Sequence, residues 1–360
     1  MSVVSTTAPS LPLTALFLGS RFGLVGTIPE EMGLLSSLIL FELGSNKLTG
    51  TIPDSLGYLV SLGSLDLSDN LLSGTIPPSI FDIPNMRLVY LFENKLTGEL
   101  PPTLANAIFL DELDVSFNFI QGTLPDNLRS NLFLWDMYLS GNLMNGTIPE
   151  AFGSPLLEYL WLNDNDFTGT IPRKWVQHLR DLMFLDLDNN LFNGTLPEFD
   201  FGSLTTFCAR NNQFSGGLDS LFSELPQSMT ALDLSYNRFS GTLPSIIGEF
   251  QTLVHFDASN NDLFGAIPSE IGETVSLSSL YLHKNSFSGP IPTEIGLLGR
   301  LFNILAVGEN QLNGTVPTEL SNLVNLGFLD VSSNNLTGTL PRGLMQLPVL
   351  GESESCHGWL

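Results

Sequence analysis

The 360-residue sequence is poor in basic residues, in cysteine and in long apolar runs, and each shortage closes off a class of function. Only 13 Lys and Arg stand against 37 Asp and Glu, giving a formal charge of −24 and a pI near 4.2. Nucleic acid is therefore excluded as a partner, because phosphate binding needs clustered cations. Anionic membrane surfaces are disfavoured on the same ground. The acidity suits a basic or neutral partner, and it equally keeps a large apolar protein in solution. The two cysteines, Cys208 and Cys356, are far apart and give neither a disulfide framework nor a metal-ligand spacing. Met1 to Ser10 has no basic stretch ahead of the first apolar segment, so it does not read as a signal peptide. That segment, Leu11 to Leu18, is far short of the ~20 residues that span a bilayer, and no other run approaches that length. What the chain does have is 43% apolar residues against 14% charged, enough to bury a core.

It also has a repeat. The segment Leu43-Gly-Ser-Asn46-Lys-Leu48-Thr-Gly50-Thr-Ile52-Pro53 recurs as Leu67, Asn70, Gly74 and Pro77, then as Leu91, Asn94, Gly98 and Pro101. Asn118, Asn142, Asn165, Asn190, Asn212, Asn237, Asn261, Asn285, Asn310 and Asn334 continue the series. Twelve steps from Asn46 to Asn334 cover 288 residues, a mean of 24. Leu65 and Leu67 alternate at period two, which places them on the inward face of a short strand with Leu62 packed just ahead. Strands of successive repeats stack as a parallel sheet at ~4.8 Å. The Asn turns inward, where its amide serves backbone groups of neighbouring loops. Gly, three residues before the Pro slot in all fourteen units, allows tight backbone curvature, and Pro ends the segment.

Three stretches depart from the pattern. The first unit carries Arg21 in the Asn slot and an extra residue, Phe22. Glu198 to Gly202 replaces the usual short helical turn and Asp219 replaces a Pro, which predicts a local kink or length change. After Leu347 the pattern gives way to Gly351-Glu-Ser-Glu-Ser-Cys356, read as an exposed tail. The expected organisation is thus a disordered or incomplete cap over residues 1–10, a repeat array over 11–346 and a tail over 347–360. Neither end has the polar cap that a repeat array needs, which points to an incomplete chain.

The pattern Leu-x-x-Leu-x-Leu-x-x-Asn-x-Leu-x-Gly-x-Ile-Pro resembles the plant-specific class of leucine-rich repeats over residues 11–346. Its period falls in that family's range and outside those of ankyrin, tetratricopeptide and WD40 repeats. Members include ectodomains of receptor-like kinases, receptor-like proteins and polygalacturonase-inhibiting proteins, and similar arrays occur in diatoms and other algae. The resemblance implies an α/β repeat solenoid: a right-handed superhelix with a concave parallel sheet, a second short sheet, and 3-10 or short helical turns on the convex side. It further implies a protein, peptide or glycan ligand on the concave face, a co-receptor, and a place outside the cell or at its surface. The family's secretion signal, paired-cysteine cap and membrane span are missing here, and so are the ATP loop and catalytic motifs of a kinase. A cytoplasmic place therefore stays open.

Residues that alternate away from the core should line the ligand face. Four positions before the Asn, the column reads Glu42, Asp66, Tyr90, Asp114, Tyr138, Trp161, Asp186, Cys208, Asp233, Asp257, Tyr281, Ala306 and Asp330. Its carboxylates are expected to be solvated. The aromatics Tyr90, Phe92, Trp135, Tyr138, Tyr159 and Trp161 fall on outward positions, and clusters of exposed aromatics mark interfaces. Glu93, Asp111, Glu112, Asp114, Asp136, Glu158, Asp164 and, one repeat further on, Asp186 give them an acidic surround that suits a basic peptide, a protein surface or a glycan. Asn145, Asn193, Asn313 and Asn335 head N-x-Thr sequons and are glycosylation candidates, although the repeat itself generates Asn-Gly-Thr.

Catalysis is not expected. Ser259 and His283 share a column with Asp257 nearby, but an open sheet offers no closed pocket and no oxyanion donors. His255 and His283 alone make a poor metal site, since two His without a third fixed ligand rarely suffice, and no cofactor motif is present. A reading of another class rests on Thr two residues before Pro in ten of fourteen units, among them Thr51, Thr75, Thr123, Thr147 and Thr170. With the Thr-Gly-Thr triplets at 49–51, 168–170 and 337–339, this regular array resembles those of ice-binding β-solenoids. Ordinary β-propensity at an exposed strand position yields the same pattern.

Overall fold

A computed structural model describes residues 12–19, 23–126, 128–150, 152–176, 178–197, 202–299 and 302–346. The chain divides into two compact units, Met1–Met144 and Asn145–Leu360. Each repeat supplies one three-residue strand to a first parallel sheet. In the first unit these are Ala15–Phe17, Leu40–Glu42, Ser64–Asp66, Leu88–Tyr90, Glu112–Asp114 and Asp136–Tyr138, paired in that order. In the second they are Tyr159–Trp161, Phe184–Asp186, Thr206–Cys208, Ala231–Asp233, His255–Asp257, Ser279–Tyr281, Ile304–Ala306 and Phe328–Asp330. Alternation decides what each strand buries. Leu65 points into the core between Leu62 and Leu67, all three fully buried, while Ser64 and Asp66 face the other way.

A second strand starts just past each ladder Asn, as in Lys47–Thr51, Leu71–Gly74 and Lys95–Gly98, and forms a second parallel sheet. Its one inward residue is aliphatic in the first unit, with Leu48, Leu72, Leu96 and Ile120 buried. In the second unit the same slot holds Phe167, Phe192, Phe214 and Phe239. Their rings stack at 6.0, 6.0 and 6.3 Å with planes within 17° of parallel, a geometry that adds to plain burial. Pro then fixes the entry to a 3-10 turn, as Pro53 does for Asp54–Tyr58, where Leu56 N donates to Pro53 O at 3.1 Å.

The Asn ladder acts as the repeat predicts. Asn94 Oδ1 accepts from Leu72 N at 3.0 Å, and its Nδ2 donates to Leu67 O, Leu91 O and Phe92 O at 2.9 to 3.2 Å. Asn237 makes the equivalent set with Phe214, Ala209, Leu234 and Ser235. One buried amide thus satisfies four backbone groups in two repeats.

Two backbone features lie beyond the expectation. The residue directly before the ladder Asn is left-handed, with φ of 47° at Asp69, 52° at Glu93 and 53° at Asn189, a conformation that costs a non-Gly residue about 1–2 kcal/mol. The glycine three before the Pro slot does more than permit curvature. Gly98 has φ 81°, and a Cβ placed on it would lie 2.6 Å from the Thr75 methyl of the preceding repeat. The Thr two before Pro thus packs its methyl where the next glycine has none.

The irregular middle resolves as a length change, 22 residues from Asn190 to Asn212, and not as a break. Asp219 opens a helix, Asp219–Glu224, where other repeats place a 3-10 turn. The first sheet pairs across this stretch without interruption, Cys208 opposite both Asp186 and Asp233. Residues 198–201, Arg21, Phe22 and the tail over 351–356 lie outside the described residues.

Candidate functional site

In the first unit the expected column exists as read. Glu42, Asp66, Tyr90, Asp114 and Tyr138 are successive Cα partners across the sheet, and all five are half-buried. Phe92 stands two residues past Tyr90 and is also half-buried, Glu93 is exposed, and Trp135, just ahead of its strand, is 48% exposed. The Tyr90 hydroxyl donates to Glu112 Oε2 at 2.7 Å, an arrangement that crosses strands and fixes the ring. Burial, then that bond, push the phenol pKa above its ordinary range. Burial also raises the Asp114 carboxyl to about 6, although Ser116 donates both its N–H and its hydroxyl to Oδ1 at 2.9 and 2.6 Å.

Beside this column lies a depression of about 250 Å³ lined by Asn85, Arg87, Phe109, Asp111 and Phe133. Phe109 and Phe133, 47% and 50% exposed, sit 5.8 Å apart, and Arg87 Nε meets Asp111 Oδ2 at 2.7 Å. Sequence reasoning missed the two Phe residues because it applied outward alternation to strands alone. They occupy the same slot of successive repeats three residues ahead of the strand, which is a signal the period could have supplied.

The second unit places its candidates differently. Tyr159 and Trp161 are half-buried and stack on Phe184, with centroids 6.4 and 4.3 Å apart. Asp186, expected on an accessible face, is 1% exposed. Cys208, Asp233, Asp257, Tyr281 and Ala306 in the same column are buried too, so the expectation of solvated carboxylates fails for Asp186, Asp233 and Asp257, while Asp330 stays half-buried. The reason these charges are tolerated is local. Every Asp of the column accepts from the N–H two residues on, at 2.9 Å for Asp186 and Asp233 and 2.8 Å for Asp257. Asp66 and Asp330 do the same, which makes the Leu-Asp-x-Ser side chain a backbone lock first and a surface charge second. Burial followed by the charge of Asp233 lifts Asp257 to about 7, and burial with the charge of Asp186 drives Asp188 well above the usual carboxylate range.

Two buried groups bring metal-type donors together, Asp186 with Asp188 and Cys208, and Asp233 with His255 and Asp257. No hydrolase-like relay is assembled at Ser259. The Asn260 amide lies between the partners, donating to Ser259 Oγ at 3.2 Å and meeting His283 Nε2 at 3.5 Å. The four sequon residues Asn145, Asn193, Asn313 and Asn335 are exposed. All ten Thr residues two before Pro are exposed as well. Among the described residues no helix is long and apolar enough to cross a membrane.

Comparison with known proteins bears on what such a face does. Residues 37–59, 61–83, 156–177, 228–250, 276–298 and 325–347 match the family described as Leucine Rich Repeat. A crystal structure of PEPR1 with AtPEP1 is 30% identical over 93% of this chain and 51% of that one, with a TM-score of 0.81. The plant peptide hormone receptor RGFR1 in complex with RGF2 is 28% identical over 94% and 62%, with a TM-score of 0.71. A plant ice-binding protein is 30% identical over 64% of this chain and 74% of its own, with a TM-score of 0.57. The chain thus spans about half the length of the first and under two thirds of the second. No protein of curated function matches the sequence.

Proposed function

The chain belongs to the leucine-rich-repeat family, and from that premise we propose that the first-sheet face of Met1–Met144 recognises a peptide or protein ligand without catalysis. The observation that carries this reading is the group of partly exposed aromatics Tyr90, Phe92, Trp135 and Tyr138 set among Glu93, Glu112, Asp114 and Asp136. Aromatic rings offer large contact area at low entropic cost, and the carboxylates select a basic partner. The sequence also counts Tyr159, Trp161 and Asp186 as ligand contacts; on the second unit Tyr159 and Trp161 are half-buried and would offer contact area, whereas Asp186 is buried and would not. Solved structures of receptors with AtPEP1 and with RGF2 support the peptide class. The reading places the protein outside the cell as a receptor-like module working with a co-receptor, and makes the four exposed sequons glycan carriers.

The test is a surface-resonance screen of the chain against synthetic basic peptides. A hit should weaken at least ~10-fold in Tyr90→Ala and Tyr138→Ala. Undiminished affinity in both sinks the reading. Enzymatic deglycosylation of protein secreted from plant cells should lower its apparent mass.

A second reading has its own observation, the ten exposed Thr residues together with the similarity to a plant ice-binding protein. On this reading the second sheet meets ice. Recrystallisation inhibition that vanishes in Thr51→Lys and Thr75→Lys would establish it, and purified protein without effect on ice growth ends it.

A further inference from the structure

A buried histidine in the second unit has nothing to bond to. His255 is 2% exposed, and neither of its ring nitrogens has a hydrogen-bond partner. Leaving such a group unsatisfied is costly, and native structures rarely do so without a reason. Its strand, His255–Asp257, sends Phe256 into the core and turns His255 and Asp257 to the opposite face. On the preceding strand Asp233 is the Cα partner of Asp257, and small Ala231 is the partner of His255. A ring nitrogen of His255 and one oxygen each of Asp233 and Asp257 lie within 4.8 Å of one another.

The two carboxylates are held for that meeting. Oδ1 of Asp233 accepts from Ser235 N at 2.9 Å and Oδ1 of Asp257 from Ser259 N at 2.8 Å, so each carboxylate is anchored through one oxygen. The surround supplies little positive charge. Arg210 acts on Asp257, but its guanidinium carbon lies 4.7 Å from the centroid of the Tyr236 ring, over the ring face. On the other side stand Ser279 and Tyr281, the latter ring 5.5 Å from that of His255.

We propose that Asp233, His255 and Asp257 form a binding site for one divalent transition-metal cation of the zinc class. A metal centre needs ~2.0–2.2 Å to each N or O donor, so small side-chain rotations close the triangle. One imidazole and two carboxylates suit zinc, manganese or cobalt, whereas calcium and magnesium take oxygen donors only. Two negative charges and an orphaned nitrogen become a satisfied set when a dication enters. Three protein donors leave a further position for water or for a group on a partner. This site is independent of the recognition face on the first unit.

The test uses the full chain, stripped with chelator and titrated with zinc chloride by calorimetry, and with cobalt chloride by visible absorption. Expected are one equivalent of zinc bound with Kd no weaker than about 10 µM, a cobalt d–d band, and at least ~10-fold weaker binding in His255→Gln and in Asp257→Asn, with unchanged circular dichroism. Cys208→Ala should retain full affinity. Absence of stoichiometric zinc binding overturns the proposal. So does full binding in His255→Gln, or loss in Cys208→Ala alone, which would assign the ion to the Asp186, Asp188 and Cys208 group. Should His255→Gln fail to fold, Asp257→Asn and a zinc-dependent rise in wild-type Tm decide the question.

Discussion

Slot for slot, Met1–Met144 and Asn145–Leu360 are built from the same repeat, yet their first-sheet faces differ. In the first unit the column through Asp66, Tyr90, Asp114 and Tyr138 is half open to solvent. In the second, Asp186, Asp233 and Asp257 are sealed to 7% exposure or less. Their second-sheet spines differ too, aliphatic in the first and a run of stacked Phe rings in the second. The lesson is that periodicity says which way a side chain points and leaves open what stands beside it. The same Asp lock is therefore half open to solvent at Asp66 and Asp114 and sealed at Asp186, Asp233 and Asp257.

The largest test of this contrast is the spine. Phe192→Ala removes a ring packed between two others and should cost roughly 3–5 kcal/mol in urea unfolding, while Phe192→Leu, which imports the first unit's residue, should cost under about half of that. Equal losses would mean that the stacking contributes little. The Asn ladder is the shared element, so Asn94→Ala and Asn237→Ala should each cost about 2–4 kcal/mol and match within error. A clear inequality would break the claim that the units share one construction. Next comes the half-buried carboxylate. Asp114 is raised from 3.8 to about 6, so between those values the native state holds a proton that the unfolded chain has released. Stability therefore falls as pH rises from about 4 through 6, by roughly 1–3 kcal/mol from this group. Asp114→Asn keeps the acceptor for Ser116 and should flatten that limb, and an unchanged slope would place Asp114 among the fully solvated charges. The smallest effect is at the left-handed position. Asp69→Gly should stabilise by about 0.5 kcal/mol, read as a rise in Tm, because φ of 47° suits glycine.

Much of the fold was legible in sequence. The 24-residue period fixed strand, Asn, Gly and Pro, and the column falls in register as read from Glu42 to Tyr138 in one unit and from Trp161 to Asp330 in the other. The left-handed residue before each Asn was not legible, since Ser45, Asp69, Glu93 and Phe117 share no side-chain chemistry and the constraint lies wholly in the backbone. On the candidate face, the outward placement of Tyr90 and Tyr138 follows from alternation, whereas Phe109 and Phe133 lie three residues ahead of their strands, where alternation gives no direction. By sequence His255 stands with His283 on one face, and the donors that approach it in the structure are Asp257 on its own strand and Asp233 one repeat earlier, 22 residues away. Writing the repeats one above another places those three together. Their burial cannot be written that way.

The threonine methyl that rests on the following glycine has a consequence for how such a chain can grow. Where Thr75 stands, Gly98 has no room for another atom; where Ala266 or Pro290 takes the place of Thr, a Cβ on the next glycine would lie 3.7 Å away, at ordinary contact distance. Each repeat therefore carries half of an agreement whose other half is written in its neighbour. A unit duplicated or moved along the gene brings its own glycine but meets a stranger's threonine. Successful copies are those in which the junction, and not only the unit, is preserved.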